Sequence, residues 1–489
     1  MFNTKHNKSI VILAAVCLCL VFVFTACANS ATFKAVKVEA GEVSGNGGIA
    51  VRYGNNILYV NGYQSDATAA NAYDNSIRIG QIVMISVADL ETAIGKKSEK
   101  GKSDSVISSE ISAYIAEKAK VVVPNFYYSN NTTETGLNGI YIYNGSLYYT
   151  TPNDELTAGG EKLTSQLVLK SVKLDGSQAT PTVHHVFTSN STAIMLGQVG
   201  NDVYAAYTQD SKLYSLKIGD KDATEIKDGE DELTLSNINY DKDEDGNYVG
   251  LFATDKDGSI VHYQLGATEI VKYVVNEKAP EGKTANSLTI KSVNAGYVYY
   301  TKSIEGVSDG KVYYTNKAVE GEGADTVYCN SDISGIYSYA DYKVYVNSNV
   351  ESGITYYNIY RLQSADMSGE PVNLLRKVEN VKSITIDRIS GKYLYYTADS
   401  VNYKIDITEM TADVAEADKP KCGTVIGKSL STTATGWSTP DALSFAIGGT
   451  TYNYVFTLAS GSISVVKFDA AKVSNGSSVT ITLVEQTDK

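Results

Sequence analysis

Tryptophan occurs once in this 489-residue chain, histidine four times, cysteine five times and proline seven times. Each scarcity excludes a class of chemistry. No His-Glu-x-x-His and no paired Cys-x-x-Cys spacing is present, so the sequence offers no zinc site. No Gly-x-Ser-x-Gly elbow is present either, which removes the usual serine-hydrolase nucleophile. Acidic residues (55) outnumber basic ones (42), giving a net charge of −13 and no basic stripe. Nucleic acid is therefore not an expected partner. Apolar runs are short as well. The run from Ile10 to Phe24 is below the roughly 20 residues of a membrane-crossing helix.

That run reads instead as the apolar part of a secretory leader. Lys5 and Lys8 precede it, and Phe24-Thr25-Ala26-Cys27 closes it with small residues before a cysteine. The expectation is a lipoprotein signal peptide over 1–26 and lipidation of Cys27. Loss of Lys5 and Lys8 would leave the remainder at −15. Burial of acyl chains in the bilayer, worth about 0.8 kcal/mol per CH₂, would then hold the protein at a membrane surface through its N-terminal lipid. Cys17, Cys19 and His6 fall in the leader. Cys329 and Cys422 are read as single thiols, because a core of this size needs no staple. A disulfide between them is the alternative.

What is abundant is tyrosine: 37, against 10 phenylalanines. The tyrosines recur in a phrase. Leu147-Tyr148-Tyr149-Thr150, Val298-Tyr299-Tyr300-Thr301 and Leu394-Tyr395-Tyr396-Thr397 are close copies. Weaker ones surround Tyr59, Tyr207, Phe252, Tyr345 and Phe456. The closing Thr or Asn falls at 61, 150, 208, 254, 301, 347, 397 and 457. By subtraction the gaps are 89, 58, 46, 47, 46, 50 and 60 residues. Short aromatic strands at a period of roughly 40–50 residues are the signature of propeller blades. The expected fold is all-β: a single β-propeller over 48–489, with eight blades, or seven as the alternative.

Local signals place the strands. Asn144-Gly145 between two apolar runs predicts a type I′ hairpin, and Asp255-Lys256-Asp257-Gly258 predicts a turn in the fourth repeat. The long first gap is assigned to a helical insertion near 88–120, because Ile107, Ile111 and Ile115 recur at helical spacing. A ninth blade hidden in that gap is the alternative. Residues 27–47 are read as a tether with a closing strand, expected to lie beside the C-terminal strand 478–485 and so remove an open edge.

Tyr-Tyr-Thr, followed about two dozen residues later by Leu174-Asp175-Gly176-Ser177, resembles the Tyr-Trp-Thr-Asp propeller of low-density-lipoprotein-receptor proteins. It is more similar still to an uncharacterised bacterial lipoprotein class with receptor-like repeats. The likeness spans most of 48–485, but only repeats two, five and seven match well. Tyr stands for Trp, the fourth-position Asp survives at Asp255 and loosely at Asp399, and the receptor class has six blades. The resemblance implies a fold and an envelope location, and carries over no ligand and no catalytic residue. A single Trp437 speaks against quinone-cofactor propellers, and the absence of Ser-x-Asp-x-Gly-x-Thr-Trp boxes against sialidase-like ones.

Candidate chemistry is thin. His184, His185 and His262 are the histidines outside the leader. Neighbours on a strand face opposite ways, so the His184-His185 pair is not expected to share a metal. Asp241-Lys242-Asp243-Glu244-Asp245-Gly246 matches the first half of a calcium loop, making Asp241, Asp243 and Asp245 candidate ligands. Position twelve is Phe252, where such a loop carries its bidentate Glu. A solvated acidic turn is the alternative reading. The functional expectation is a non-catalytic binding or scaffold protein of the cell envelope, taking an envelope protein or glycan. Two alternatives stand beside it: a carbohydrate-active enzyme with two carboxylates at a channel mouth, and an accessory or sensor lipoprotein of a transporter or signalling system.

Overall fold

The computed structural model describes residues 33–61, 64–65, 78–96, 101–127, 137, 139–153, 166–187, 191–210, 212–229, 231–243, 247–294, 296–316, 326–329, 333–339, 342–362, 372–379, 381–386, 393–398, 401–406, 424–427, 442–459, 462–469 and 479–484. They form eight antiparallel sheets that follow one another along the chain. Seven contain a four-stranded meander. The fourth is representative: Ser236–Lys242, Tyr248–Thr254, Ile260–Gln264 and Val271–Val274, each paired with the next.

The tyrosine phrase falls on the second strand of each sheet, when the strands of the first sheet are counted from Ala50–Tyr53 and the added two-residue strand Val43–Ser44 is set aside. Its aromatics stack on the residue directly opposite on the third strand: Tyr207 on Tyr214 (5.5 Å between ring centroids), Tyr345 on Tyr360 (5.1 Å) and Tyr396 on Tyr403 (5.0 Å). Such cross-strand pairs are the unit of sheet stability. The closing Thr has a separate task. Thr150 Oγ1 accepts the Leu137 amide at 3.0 Å, and Thr254 Oγ1 donates to the Ser236 carbonyl at 3.2 Å. Both bonds pin the segment entering the sheet to its second strand.

Among the described residues, apolar clusters join the eighth sheet to the first and then each sheet to the next as far as the sixth. One apolar cluster joins the eighth, first and second sheets through Leu443, Tyr454, Ile57 and Ile142. A second joins the second, third and fourth, a third the fourth and fifth, and a fourth the fifth and sixth. The strand Ala50–Tyr53 of the first sheet touches Ala442–Ile447 of the eighth, which brings the two termini of the sheet series together. The arrangement is propeller-like.

The insertion forms two helices, α1 (Val87–Gly95) and α2 (Asp104–Lys118). Ser86 caps α1, its Oγ accepting the Asp89 amide at 3.0 Å. The isoleucine stripe of α2 is buried as its spacing predicts: Ile107, Ile111 and Ile115 are all within the first cluster. The chain then returns as Lys120–Tyr127 and pairs with Arg78–Ser86, so the long gap supplies an outer strand of the first sheet.

The closing strand is a correction. Residues 33–40 do not lie beside the C-terminal strand. Lys37 bridges Asp175, and the Val38 amide donates to the Leu174 carbonyl, both in the second sheet. The C-terminal strand Val479–Val484 pairs with Ser462–Asp469 and meets α2. Both α1 and α2 lie in contact with that strand. Residue 27 and the leader lie outside the described residues.

Every meander has two ends. Turns joining strands one to two and three to four lie at one end, and we call it proximal because the N-terminal segment packs there. Gly41 abuts Gly54 in the first such turn, and Lys37 abuts Gly176 in the second sheet. Turns joining strands two to three, and the links to the following sheet, lie at the distal end.

Candidate functional site

The acidic motif separates in the structure. Asp241 is fully buried. Its Oδ1 accepts the Gly296 amide at 2.9 Å, and its Oδ2 lies 3.2 Å from His262 Nε2. Asp243 closes a turn, accepting the Asn247 amide at 2.8 Å and its Nδ2 at 3.2 Å. Asp245 lies outside the described residues. A cation on Asp241 would have to displace an imidazole or a backbone amide inside the contact between the fourth and fifth sheets. Among the described residues no group of three or more His, Cys, Asp or Glu side chains is disposed to hold a metal ion.

The histidines also go different ways. A bulge falls between Val183 and His185. His184 Nε2 lies 2.8 Å from Ser171 Oγ, and His185 Nε2 lies 3.0 Å from the Tyr207 hydroxyl of the next sheet. Burial lowers the pKa of both. His185 is half-buried on the edge strand of the second sheet, against Phe187 and Tyr207, with ring centroids at 4.7 and 5.1 Å. His262 is buried against Phe252, 4.5 Å away, in the place that tyrosines hold in the fifth and sixth sheets.

The carboxylate pair of a glycosidase can be tested on geometry. Asp241 and Asp255 are the buried acids among the described residues. Asp241 pairs with Gly250, and Asp255 follows five residues along the same strand direction. At ~3.3 Å per residue they stand about 17 Å apart, beyond the roughly 5–10 Å that flanks a glycosidic bond. Asp255 is further occupied, its Oδ1 accepting the Asp257 and Ser259 amides and its Oδ2 lying 3.2 Å from Lys272 Nζ. A shallow cleft between the third and fourth sheets, lined by Tyr207, Ile238, Tyr240 and Leu251, has room for about one water molecule and so falls well short of a small-molecule site.

The distal end offers something different. Strands two and three of the fifth sheet run past Thr301 into a hairpin, Tyr297–Ile304 with Val307–Ser308. In the sixth, Tyr342–Glu351 and Ile354–Leu362 run past Asn347 in the same way. Both tips turn through two positive-φ residues, Glu305-Gly306 (50°, 81°) and Ser352-Gly353 (53°, 81°). This is the same device as the predicted Asn144-Gly145 turn (50°, 70°). The most exposed large aliphatics described are Val307 (71%), Val350 (69%), Val275 (61%) and Ile304 (52%), and all four lie at this end of three consecutive sheets.

Hydrogen bonds and an ion pair brace the fifth-sheet tip. Asn276 Nδ2 donates to the Asp257 and Asn286 carbonyls at 2.9 and 3.1 Å, and Asn286 Oδ1 accepts the Glu305 amide at 2.9 Å. Lys283 pairs with Glu305 at 3.1 Å. The repeat phrase Val298-Tyr299-Tyr300-Thr301 ends short of this tip. The signal available was Ile304-Glu305-Gly306-Val307, a Gly-containing pair between two aliphatics.

Among the described residues no helix is long and apolar enough to cross a membrane. No protein-family model matches this chain, and no curated protein matches it. Solved structures similar to it include the polysaccharide lyase Uly1 (9% identity, TM-score 0.35, covering 70% of this chain and 91% of that one). The computationally designed Ika8 protein (10%, 0.31, 70% and 85%) is another, as is the β-propeller domain of Myceliophteria thermophila Cps50 (Swd1) (9%, 0.28, 58% and 85%). All three TM-scores lie well below 0.5, so these likenesses decide neither fold detail nor activity.

Proposed function

We propose that this chain is a lipid-anchored, extracytoplasmic protein of the bacterial cell envelope. Its eight sheets close into one propeller, and it acts as a non-catalytic binding or scaffold protein. The contact between the eighth and first sheets supports closure. The observation that carries the binding role is the cluster of exposed aliphatics on the distal hairpins. Exposed large aliphatics concentrated at one end of consecutive sheets support a binding surface there.

The tether supports an orientation. Five residues lie between Cys27 and Phe33, so the reach is about 20 Å at most. The described N-terminal segment packs at the proximal end. Lipid on Cys27 therefore holds the proximal turns near the bilayer and leaves the hairpin end facing away from it. Metabolic labelling with a clickable fatty acid tests the anchor: incorporation into the wild-type chain and none into Cys27→Ser is expected, together with release from membranes. Affinity isolation from detergent-solubilised envelope tests the role. Recovery of no partner above background would overturn it.

A further inference from the structure

We infer that Asn61 and Gln81, at the distal end of the first sheet, form a seat for one ordered water molecule held between their carboxamides. The inference is independent of the binding role proposed above.

The two residues face each other where the second and third strands of the first sheet part. Val60 pairs with Ile82, and one residue further on the Asn61 amide donates to the Gln81 carbonyl at 2.8 Å. Residues directly opposite in a ladder carry their side chains on one face, with Cβ atoms about 5 Å apart. Asn61 is 1% exposed, and neither its Oδ1 nor its Nδ2 meets a hydrogen-bonding group of the protein. Gln81 Oε1 is buried without a partner as well. A buried polar atom left alone costs its full desolvation, and native interiors answer such atoms with protein or with water.

The chain around the pair explains why no protein group answers. Thr150 and Thr254, at the same point of the repeat as Asn61, bond the segment entering their own sheets. In the first sheet that segment is engaged elsewhere. The Gly47 amide donates to the Ile140 carbonyl at 2.7 Å, and the Gly48 carbonyl accepts the Ile140 amide at 2.8 Å. Neither glycine has a side chain to offer.

The second sheet shows the alternative. Its second and third strands part at Asn153 and Gln166, joined by the same amide-to-carbonyl bond at 2.8 Å. There Asn153 Nδ2 donates directly to Gln166 Oε1 at 2.9 Å. The same two residue types are closed on each other in one sheet and parted in its neighbour. A guest between Asn61 and Gln81 has to be about one heavy atom across and has to both donate and accept. Water does both, and a buried water typically makes about three hydrogen bonds. A metal cation would leave Asn61 Nδ2 without an acceptor.

The test is a crystal structure of the full-length chain at a resolution that places waters, joined to oxygen-17 relaxation dispersion, which counts long-lived waters in solution. The expected result is one density peak about 2.7–3.2 Å from Gln81 Oε1 and from an Asn61 carboxamide atom. In solution Asn61→Leu should lose one long-lived water, and Val199→Thr, at an exposed position, none. Thermal unfolding confirms that each variant folds, and Gln81→Leu serves in place of Asn61→Leu if that chain does not. A direct Asn61–Gln81 bond like that of the second sheet would overturn the inference. So would a peak with contacts of about 2.4 Å, as a metal cation makes, an unfilled gap, or equal water counts in the wild type and the folded variant.

Discussion

Asp241 and His262 meet at 3.2 Å across a strand that lies between them. Asp241 is on the first strand of the fourth sheet and His262 on the third. The residue over which they meet is Gly250, paired with Asp241 on one side and with Gln264 on the other. A Cβ on Gly250 would stand 2.8 Å from His262 Nε2 and 2.3 Å from the Tyr263 carbonyl oxygen. The glycine is what lets the imidazole reach the carboxylate. The second carboxylate oxygen takes the Gly296 amide, so one side chain joins two sheets.

His262→Leu should therefore destabilise the protein by roughly 1–3 kcal/mol, because it removes one hydrogen-bond partner of a buried carboxylate. Asp241→Leu combined with His262→Leu should cost less than His262→Leu alone, since no buried charge remains. Urea denaturation of the two variants checks this. Gly250→Ala should behave like the single variant, through collision rather than charge.

A second contact spans most of the chain. Glu91 on α1 accepts bonds from the Tyr454 hydroxyl at 2.5 Å and from the Lys467 ammonium, both in the eighth sheet. Lys467 also lies over the Tyr452 ring at 3.8 Å. Glu91→Ala removes the shared acceptor from two largely buried donors and should cost roughly 1–3 kcal/mol. Hydrogen exchange should quicken in Thr450–Ala459 and Ser462–Asp469 before it does in the fourth sheet. Uniform exchange in both would show that the helices do not hold the last sheet.

Alkaline pH should unfold the protein through its tyrosines. Burial, followed by Tyr214, raises Tyr207 to about 12, and the bond to Asp309 followed by burial raises Tyr313 to about 12. Burial likewise raises Tyr59, Tyr299 and Tyr300 well above the ordinary value. A raised folded pKa contributes stability that is complete below the unfolded value, about 10, and is lost as pH rises toward the folded value. Part of the phenolate absorbance should be held back above pH 10 and appear together with the loss of β-sheet circular dichroism. Ionisation of every tyrosine near pH 10 in the still-folded chain would contradict the burial of these rings.

Acid should act through His184 and His185. Burial lowers both below the usual imidazole value of about 6.5. The unfolded chain then binds protons that the folded one refuses, so their contribution is whole above pH 6.5 and falls as pH drops through the lowered values. His184→Gln with His185→Gln should flatten the midpoint-versus-pH curve below pH 6.5, measured by thermal unfolding.

The sequence on its own determined the sheet content, the eight marks on second strands, the Asn144-Gly145 turn and the isoleucine face of α2. These are local: alternation, turn chemistry and helical spacing are set by neighbours in the chain. It also offered Asp241, Asp243 and Asp245 as one loop, because they alternate. Only tertiary structure decided that Asp241 turns inward to His262 and Gly296, partners 21 and 55 residues away. It likewise decided that residues 33–40 dock on the second sheet while α2 meets the C-terminal strand, and that Val275, Ile304, Val307 and Val350 gather at one end. Those outcomes depend on which faces are left after the sheets pack, a long-range selection that no window of sequence contains.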